Sequence, residues 1–331
     1  MEMEYKGVLV YAEQRNQQIH KVTYELLDKG RQLADQLGVQ VYCALLGPAD
    51  IDAQELIYRG ADVVYYIEDN EAFNEPDELV YARNLQDLIV KIKPEICISG
   101  ATSLGRSVAP RVAAAIGAGL TADCTDLQID EDRKLIQIRP AFSENILAHI
   151  KSECMPQMAT VRYKEFSEAK RDISRTGEII KSSSLDYQND AMVFIQELSQ
   201  KKLDISEASV VVSAGTGLRS PEDFKLLSEL ADLLNGVVAA SRPLVEGGFI
   251  SKDHQVGYSG NRVKPKIYIA CGISGAPQHL AGMKDSETII AINTDPSAPI
   301  FSIADHGIVG DLYEVVPLLI NKIKSMRAVK V

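Results

Sequence analysis

The sequence has few aromatic residues and few cysteines. It contains no tryptophan, and aromatic residues make up 6% of its 331 residues, so an aliphatic core is expected. The five cysteines lie far apart and none belongs to a CxxC pair; they are Cys43, Cys97, Cys124, Cys154 and Cys271. This spacing excludes a ferredoxin module within the chain, and no metal site is predicted. An odd, scattered set is typical of reduced thiols in a reducing compartment.

Positive charge and long apolar segments are also scarce. There are 35 Lys and Arg against 46 Asp and Glu, a net charge of −11, so binding to nucleic acid is not expected. No apolar run reaches the ~18 residues that a membrane-spanning helix needs. The first residues, MEMEYKG, are acidic and polar, unlike a signal peptide. The sequence therefore predicts a cytoplasmic protein without a membrane span.

The chain does have the composition of a globular protein. Hydrophobic residues make up 46% and charged residues 24% of the sequence, which is close to the average for folded domains. A length of 331 residues suggests two domains. Charge clusters and a Ser182–Ser184 triplet mark residues 166–207 as the linker. We therefore expect one domain over residues 1–190 and a second over residues 208–331.

Short aliphatic runs alternate with helical patterns in the N-terminal half. Strands are predicted at 7–12, 39–46, 62–67 and 95–99, and helices at 18–37, 53–59, 79–92 and 105–116. This order is typical of βαβ units and so of a parallel sheet with helices on both faces. Residues 127–165 instead hold strand patterns at 135–140 and 158–163 with no good helix between them, which indicates an antiparallel extension.

The C-terminal half repeats the alternation. Strands are predicted at 209–213, 236–240, 266–270, 288–292 and 300–303, with a helix at 223–234. Both halves are therefore predicted to be doubly wound α/β domains with mostly parallel sheets.

A glycine-rich turn follows the strand at 209–213. Gly215 and Gly217 would let the backbone approach a diphosphate at the start of the next helix. Ser220 replaces the third glycine of a dinucleotide-binding motif, and the next strand ends at Arg242 rather than at an acid. A cation there favours anionic groups. An ordinary tight turn between strand and helix explains these glycines equally well.

The segment GISGAPQHLAG at 272–282 follows another strand. Pro277 suits the first turn of a helix, and His279 lies near that helix start. His279 is either a hydrogen-bonded structural histidine or a donor to an anionic cofactor atom. Ala276 stands where a GxSxG nucleophile elbow needs its second glycine, so a serine nucleophile is not indicated.

Taken in order, these segments resemble the α subunit of electron transfer flavoproteins. The series is Ser241-Arg242, QVGYSG, YIACGISGAPQHLAGMKDS, IIAINTDPSAPIFSIADHGIVGDL and VVPLL, and it covers nearly all of residues 209–318. In the N-terminal half, GATSLGR at 100–106 and LTADCT at 120–125 are similar to bacterial and anaerobe members. The resemblance implies a heterodimer with a homologous β subunit and one FAD in a Rossmann-like C-terminal domain.

The resemblance also implies which residues bind the flavin. Arg242 and Ser259 would act near N5, and His279, with the positive end of the helix starting near Ala276, would act at the C2 carbonyl, so that all three tune the redox potential. Thr216 stands where members commonly carry arginine, and Arg219 is the candidate replacement for that cation. The other implied cofactor-binding residues are Ser241, Gln255, Val256, Gly257, Tyr258, Ser274, Gly275, Ala276, Pro277 and Gln278, with Asn293, Asp311 and Leu312 at the adenosine end.

Two modes of electron transfer occur in the family. In the simple mode the β subunit binds AMP, and electrons come from an acyl-CoA dehydrogenase. In the bifurcating mode the β subunit holds a second FAD that takes hydride from NADH and divides the electrons between the α-bound flavin and ferredoxin. The LTADCT segment favours the bifurcating mode. A stand-alone nicotinamide dehydrogenase and a non-catalytic nucleotide-binding scaffold are the alternatives, and the missing acid near Arg242 argues against the first.

Overall fold

The computed structural model describes residues 4–73, 77–141, 146–185 and 205–328. The chain divides into two compact units, residues 1–195 and 196–331. Each unit is built on a parallel sheet with helices packed against it, so the predicted α/β fold class is confirmed.

A seven-stranded parallel sheet forms the centre of the first unit. In chain order the unit contains β1 (Val8–Ala12), β2 (Gln14–Arg15), β3 (Gln18–Ile19), α1 (Val22–Leu37), β4 (Val41–Gly47), α2 (Gln54–Tyr58), β5 (Val63–Glu68), α3 (Glu78–Ile92), β6 (Ile96–Gly100), α4 (Ser103–Ile116), β7 (Leu120–Cys124), β8 (Asp126–Ile129), β9 (Leu135–Ala141), β10 (Ile146–Ile150), β11 (Gln157–Val161) and β12 (Glu178–Ser182). The sheet order is β12-β5-β4-β1-β6-β11-β7. A separate antiparallel sheet, β10-β9-β8, is the expected extension.

Helices cover both faces of this sheet. Leu26 and Leu33 of α1 pack on one face, and Leu85 of α3 and Val108 of α4 pack on the other. Strand β1 is consequently buried at every position, which explains its continuous apolar run.

Three predictions for the first unit need correction. The helix predicted from residue 18 begins at Val22, because residues 14–19 form the β2–β3 hairpin. The strand predicted at 158–163 is β11, which pairs in parallel with β6 and β7 rather than joining the antiparallel extension. The linker predicted at 166–207 contains β12, which pairs with β5 at the sheet edge. The part of that linker at 186–204 lies outside the described residues.

The second unit has a five-stranded parallel sheet. It contains β13 (Val210–Ala214), α5 (Phe224–Leu233), β14 (Val237–Ala240), α6 (Arg242–Glu246), β15 (Ile267–Cys271), α7 (Pro277–Leu280), β16 (Ile289–Asn293), β17 (His306–Val309) and α8 (Leu312–Ala328). The sheet order is β14-β13-β15-β16-β17. All strands are parallel, but the chain adds β14 on one side of β13 and β15 to β17 on the other, so the strand order reverses between β13 and β15. In open α/β sheets, such a switch point is where ligands bind, outside the carboxyl ends of the strands.

The two faces of the second sheet are covered differently. Helices α5 and α8 pack on one face, whereas the other carries irregular segments that include Val256, Met283 and Ile300. The strand predicted at 300–303 is wrong. Residues Pro299–Ser302 form a 3-10 helix, because Pro299 cannot donate to a strand ladder and suits a helix start.

No helix in the described ranges is both long enough and apolar enough to cross a bilayer.

Candidate functional site

A cavity of about 290 Å³ lies at the carboxyl edge of the second sheet. It is lined by Gly215, Thr216, Ser241, Arg242, Pro243, Gln255, Val256, Gly257, Tyr258, Ser259, Ile273, Ser274, Ala276, Gln278 and His279. These residues follow β13, β14 and β15, so the cavity sits at the switch point of the sheet.

Two backbone turns cross at the cavity floor. The Gly215 N–H donates to the carbonyl of Cys271 at 2.9 Å, and the Gly217 N–H donates to the carbonyl of Gly272 at 3.1 Å. A Cβ on Gly215 would lie 2.2 Å from the Gly272 oxygen, so only glycine allows this approach. At Gly215 the cavity is therefore lined by backbone and not by a side chain.

The loop after β15 is held from two sides. Gly275 has a φ of +90°, and a Cβ there would lie 2.3 Å from the Ile300 nitrogen. The Ile300 N–H donates to the Ser274 carbonyl at 3.0 Å, and Nδ2 of Asn293 donates to the Ile273 carbonyl at 2.9 Å. Gly275 and Asn293 therefore shape the cavity wall without lining it.

Arg242 is the one permanently charged residue among the described residues that line the cavity. Its side chain is 63% exposed, and its Nε lies 2.8 Å from Oε1 of Glu246, four residues on. Exposed pairs of this kind contribute little stability. The guanidinium is therefore available to an anionic ligand.

The loop at residues 255–259 forms the rim of the cavity. The Val256 N–H donates to the Ala240 carbonyl at 2.9 Å, and the Tyr258 N–H donates to the Gln278 carbonyl at 2.7 Å. Nε2 of Gln255 lies 3.1 Å from Oγ of Ser259. The rim thus carries a hydroxyl and an amide in contact with each other at the cavity.

His279 is the buried titratable group of the cavity wall. It is 7% exposed, and its Nε2 lies 2.9 Å from the hydroxyl of Tyr268. Burial lowers the pKa of His279 to about 4, and the nearby Val256 backbone offsets this shift in part. Nδ1 is buried and has no hydrogen bond of proper length and angle. At neutral pH the ring is therefore uncharged and can offer a neutral N–H.

The helix expected to assist His279 starts where the sequence predicted and is short. Helix α7 spans only Pro277–Leu280, a single turn with Pro277 in its first position. Because a macrodipole needs aligned turns, the predicted contribution of a positive helix end is small here.

The structure brings most of the predicted site residues together. Those that line the cavity are Ser241, Arg242, Gln255, Val256, Gly257, Tyr258, Ser259, Ser274, Ala276, Gln278 and His279. Those that lie outside its lining are Arg219, Gly275, Pro277, Asn293, Asp311 and Leu312. The contacts of both groups with a cofactor stay predictions.

Arg219, Asp311 and Leu312 form a second group beside the glycine turn. Nη2 of Arg219 lies 2.8 Å from Asp311, and its guanidinium stacks 4.4 Å from the Tyr313 ring centroid. A Cβ on Gly217 would lie 3.4 Å from Leu312. Arg219 is thus near the turn that lacks a cation at Thr216, but Asp311 already neutralises it.

Sequence reasoning missed two apolar residues of the lining. Pro243 and Ile273 were not predicted as site residues, and both line the cavity. Only their positions in the sequence could have indicated these two residues, since Pro243 follows Arg242 and Ile273 precedes Ser274.

The fold and the cavity define a nucleotide-binding α/β domain. Glycine turns meet at a switch point, and one cation faces the space above them. Residues 204–284 match the family model described as the electron transfer flavoprotein FAD-binding domain, and residues 8–186 match the electron transfer flavoprotein domain. The chain belongs to the electron transfer flavoprotein α-subunit family, and its C-terminal domain is an FAD-binding domain.

Similar proteins match over nearly the whole chain. The electron transfer flavoprotein subunit alpha of Thermoanaerobacterium thermosaccharolyticum is 46% identical, with 98% of this chain and 99% of the relative covered. The subunit of the same name from Clostridium acetobutylicum is 45% identical, with 97% and 98% covered. The lactate dehydrogenase (NAD(+),ferredoxin) subunit LctC of Acetobacterium woodii is 44% identical, with 97% of this chain and 78% of the relative covered.

The residues present fit a flavin nucleotide. Gly215 lines the cavity without a side chain, so a phosphate-bearing group can come close to the backbone there. Arg242 supplies a cation, and Nδ1 of His279 is a buried polar atom that lacks a well-formed hydrogen bond. Buried polar atoms are normally paired, so a polar group of a bound flavin is a suitable partner for this nitrogen.

Proposed function

We propose that this chain is the FAD-carrying α subunit of a heterodimer with an electron transfer flavoprotein β subunit. In this role it is an electron carrier rather than a stand-alone enzyme. The observation that carries the proposal is the switch-point cavity of the FAD-binding domain, which combines Arg242 with the neutral, buried His279. We further propose that the complex acts in the cytoplasm.

Three polar residues of the cavity, Arg242, Ser259 and His279, have proposed roles toward the flavin ring. FAD, when bound, supplies reversible one- and two-electron chemistry. Arg242 stabilises the negative charge that reduction adds, because its positively charged guanidinium lies at the cavity. Ser259 donates a hydrogen bond near N5, and His279 donates a neutral N–H near the C2 carbonyl. The second group, Arg219, Asp311 and Leu312, together with Asn293, accommodates the adenosine end.

We propose the bifurcating mode, with NADH as donor and ferredoxin as one acceptor. The relative LctC supports this mode, since its name contains both NAD(+) and ferredoxin and it is 44% identical to this chain. In this mode the β subunit holds a second FAD. The alternative is the simple mode, with AMP in the β subunit and electrons from an acyl-CoA dehydrogenase.

Counting flavins separates these modes. The chain is produced together with its β subunit, and FAD and AMP are quantified in the purified complex. Two FAD per complex and NADH-dependent reduction of ferredoxin are the expected results. One FAD with one AMP would establish the simple mode instead, and a colourless complex that cannot be loaded with FAD would disprove the proposed function.

The dehydrogenase partner is tested with the same complex. We propose that the partner is an acyl-CoA dehydrogenase. The comparison is a lactate-oxidising flavoenzyme, because the relative LctC is named as a lactate dehydrogenase subunit. We expect the flavin to be reduced when butyryl-CoA and butyryl-CoA dehydrogenase are added. We expect no reduction when lactate and a lactate-oxidising flavoenzyme are added. The reverse result would reassign the partner.

A further inference from the structure

A chain of buried polar side chains lies directly beneath the cavity. It runs from Ser213 on β13 through Tyr268 on β15 to His279 on α7. Ser213 and Tyr268 are fully buried, and neither lines the cavity. Polar groups are costly in such a place unless they bond to one another, so the chain needs an explanation.

The strand register places these groups on one face of the sheet. Val211 pairs with Tyr268, and Ser213 pairs with Ala270. Side chains two residues apart in a strand point to the same side, and Val211, Tyr268 and Ala270 all belong to the cluster under the cavity. Ser213 is therefore a diagonal neighbour of Tyr268. Burial raises the pKa of the Tyr268 phenol and the Ser213 side chain partly offsets this rise, but Oγ of Ser213 has no hydrogen bond of proper length and angle.

The direction of the hydrogen bond between Tyr268 and His279 depends on which nitrogen of His279 carries the proton. A neutral imidazole has one donor and one acceptor nitrogen. Nε2 lies 2.9 Å from the Tyr268 oxygen. If the phenol donates to Nε2, the ring proton is on Nδ1, which is buried and has no hydrogen bond of proper length and angle.

We propose that Tyr268 is a positioning residue that donates its hydroxyl hydrogen to Nε2 of His279, keeps the proton on Nδ1 and fixes the ring as a neutral donor in the wall of the flavin cavity. The proposal rests on the proposed role of His279 toward the flavin. Tyr268 itself does not line the cavity, so it acts through His279. Because reduction adds negative charge to the cofactor, loss of an ordered N–H donor weakens binding of reduced FAD more than binding of oxidised FAD.

The decisive variant is Tyr268→Phe, which removes one oxygen and keeps the ring. The full chain, in complex with its β subunit and carrying ¹⁵N-labelled histidine, is studied by NMR at pH 7. In the unaltered protein we expect a neutral His279 with its proton on Nδ1, and in the variant a substantial Nε2-protonated population. The ratio of the dissociation constants of reduced and oxidised FAD should rise by about 3- to 10-fold, the loss expected for one hydrogen bond.

Tyr66→Phe is the matched control. Tyr66 is also buried, and its hydroxyl bonds to the Pro48 carbonyl in the first unit. The control should leave the His279 tautomer and the FAD ratio unchanged.

Two results would overturn the proposal. One is an Nε2-protonated or charged His279 in the unaltered protein, which decides the matter even if Tyr268→Phe fails to fold. The other is a folded Tyr268→Phe variant with an unchanged tautomer and an unchanged FAD ratio. Absence of FAD binding would instead disprove the proposed function, since the tautomer is measured without reference to the cofactor.

Discussion

At the scale of single residues, Arg242 supplies the fixed charge of the cavity. Replacing it with glutamine should lower the potential of the first electron step. The side chain is 63% exposed, so solvent screening limits the effect to on the order of 10–40 mV, which corresponds to an exposed pair of ~0.2–1 kcal/mol. A spectroscopic redox titration measures the shift.

Lys252→Gln is the control for Arg242. It removes one positive charge from the same unit, and Lys252 does not line the cavity. If both variants lower the potential equally, the effect reflects net charge and not the position of Arg242.

His279 should make stability depend on pH. Its folded pKa is about 4, below the ~6.5 of an unfolded histidine, so the unfolded chain takes up a proton first as the pH falls. The stabilisation is therefore complete above pH ~6.5 and is lost as the pH falls toward 4, by about 3 kcal/mol at most. Urea unfolding of the protein and of His279→Gln over this range should show a flatter slope for the variant. Parallel slopes would mean that His279 does not titrate as its burial requires.

At the scale of elements, the crossing of two turns depends on the missing side chain at Gly215. In Gly215→Ala the new methyl would lie 2.2 Å from the Gly272 oxygen, so the turns must separate at a cost of about 1–3 kcal/mol or more. We expect weaker FAD retention as well, measured by flavin absorbance after gel filtration.

Gly248→Ala provides the comparison for this crossing. Gly248 has a φ of +73° but open space around its Cβ position. The variant should lose only the ~1–2 kcal/mol of left-handed backbone strain and should keep its FAD. Equal loss of FAD in both variants would contradict the role given to the crossing.

The edge strand β12 should stabilise the first unit through one of its faces. Ile179 packs against the core, whereas Ile180 is 38% exposed. Ile179→Asp should lower the free energy of unfolding by about 1–3 kcal/mol, and Ile180→Asp should change it by less than about 0.5 kcal/mol. Urea unfolding monitored in the N-terminal unit measures both. Equal, small effects would indicate that β12 pairs without supporting the core.

At the scale of the whole molecule, the cysteines should differ sharply in reactivity. Cys43, Cys97, Cys124 and Cys271 are buried and Cys154 is exposed. Burial raises the pKa of all four buried thiols, which suppresses the reactive thiolate. A thiol-reactive dye should therefore modify one cysteine per folded chain and all five after denaturation, and Cys154→Ser should abolish the fast reaction. Rapid modification of a second thiol would mean that a buried region opens readily.

The sequence predicted local elements well and long-range pairing less well. The alternation of aliphatic runs and helical patterns located β1, β4 and β5 because each is decided by nearby residues. It could not place β11 in the parallel sheet, since its partners β6 and β7 are distant in the chain.

The site shows the same division. Polar and glycine motifs identified Arg242 and His279, whereas Pro243 and Ile273 carry no chemical signal and were recognised only from the cavity. The edge strand β12 was hidden in a segment whose charges resemble those of a linker.

The contrast between floor and rim of the cavity has a practical consequence for protein engineering. The floor consists of two backbone turns in close contact, with no space for added atoms, whereas the rim contains Tyr258, a residue that is 57% exposed. Variant libraries designed to accept bulkier synthetic cofactors should therefore vary the rim, where a smaller residue makes space, and leave the floor unchanged.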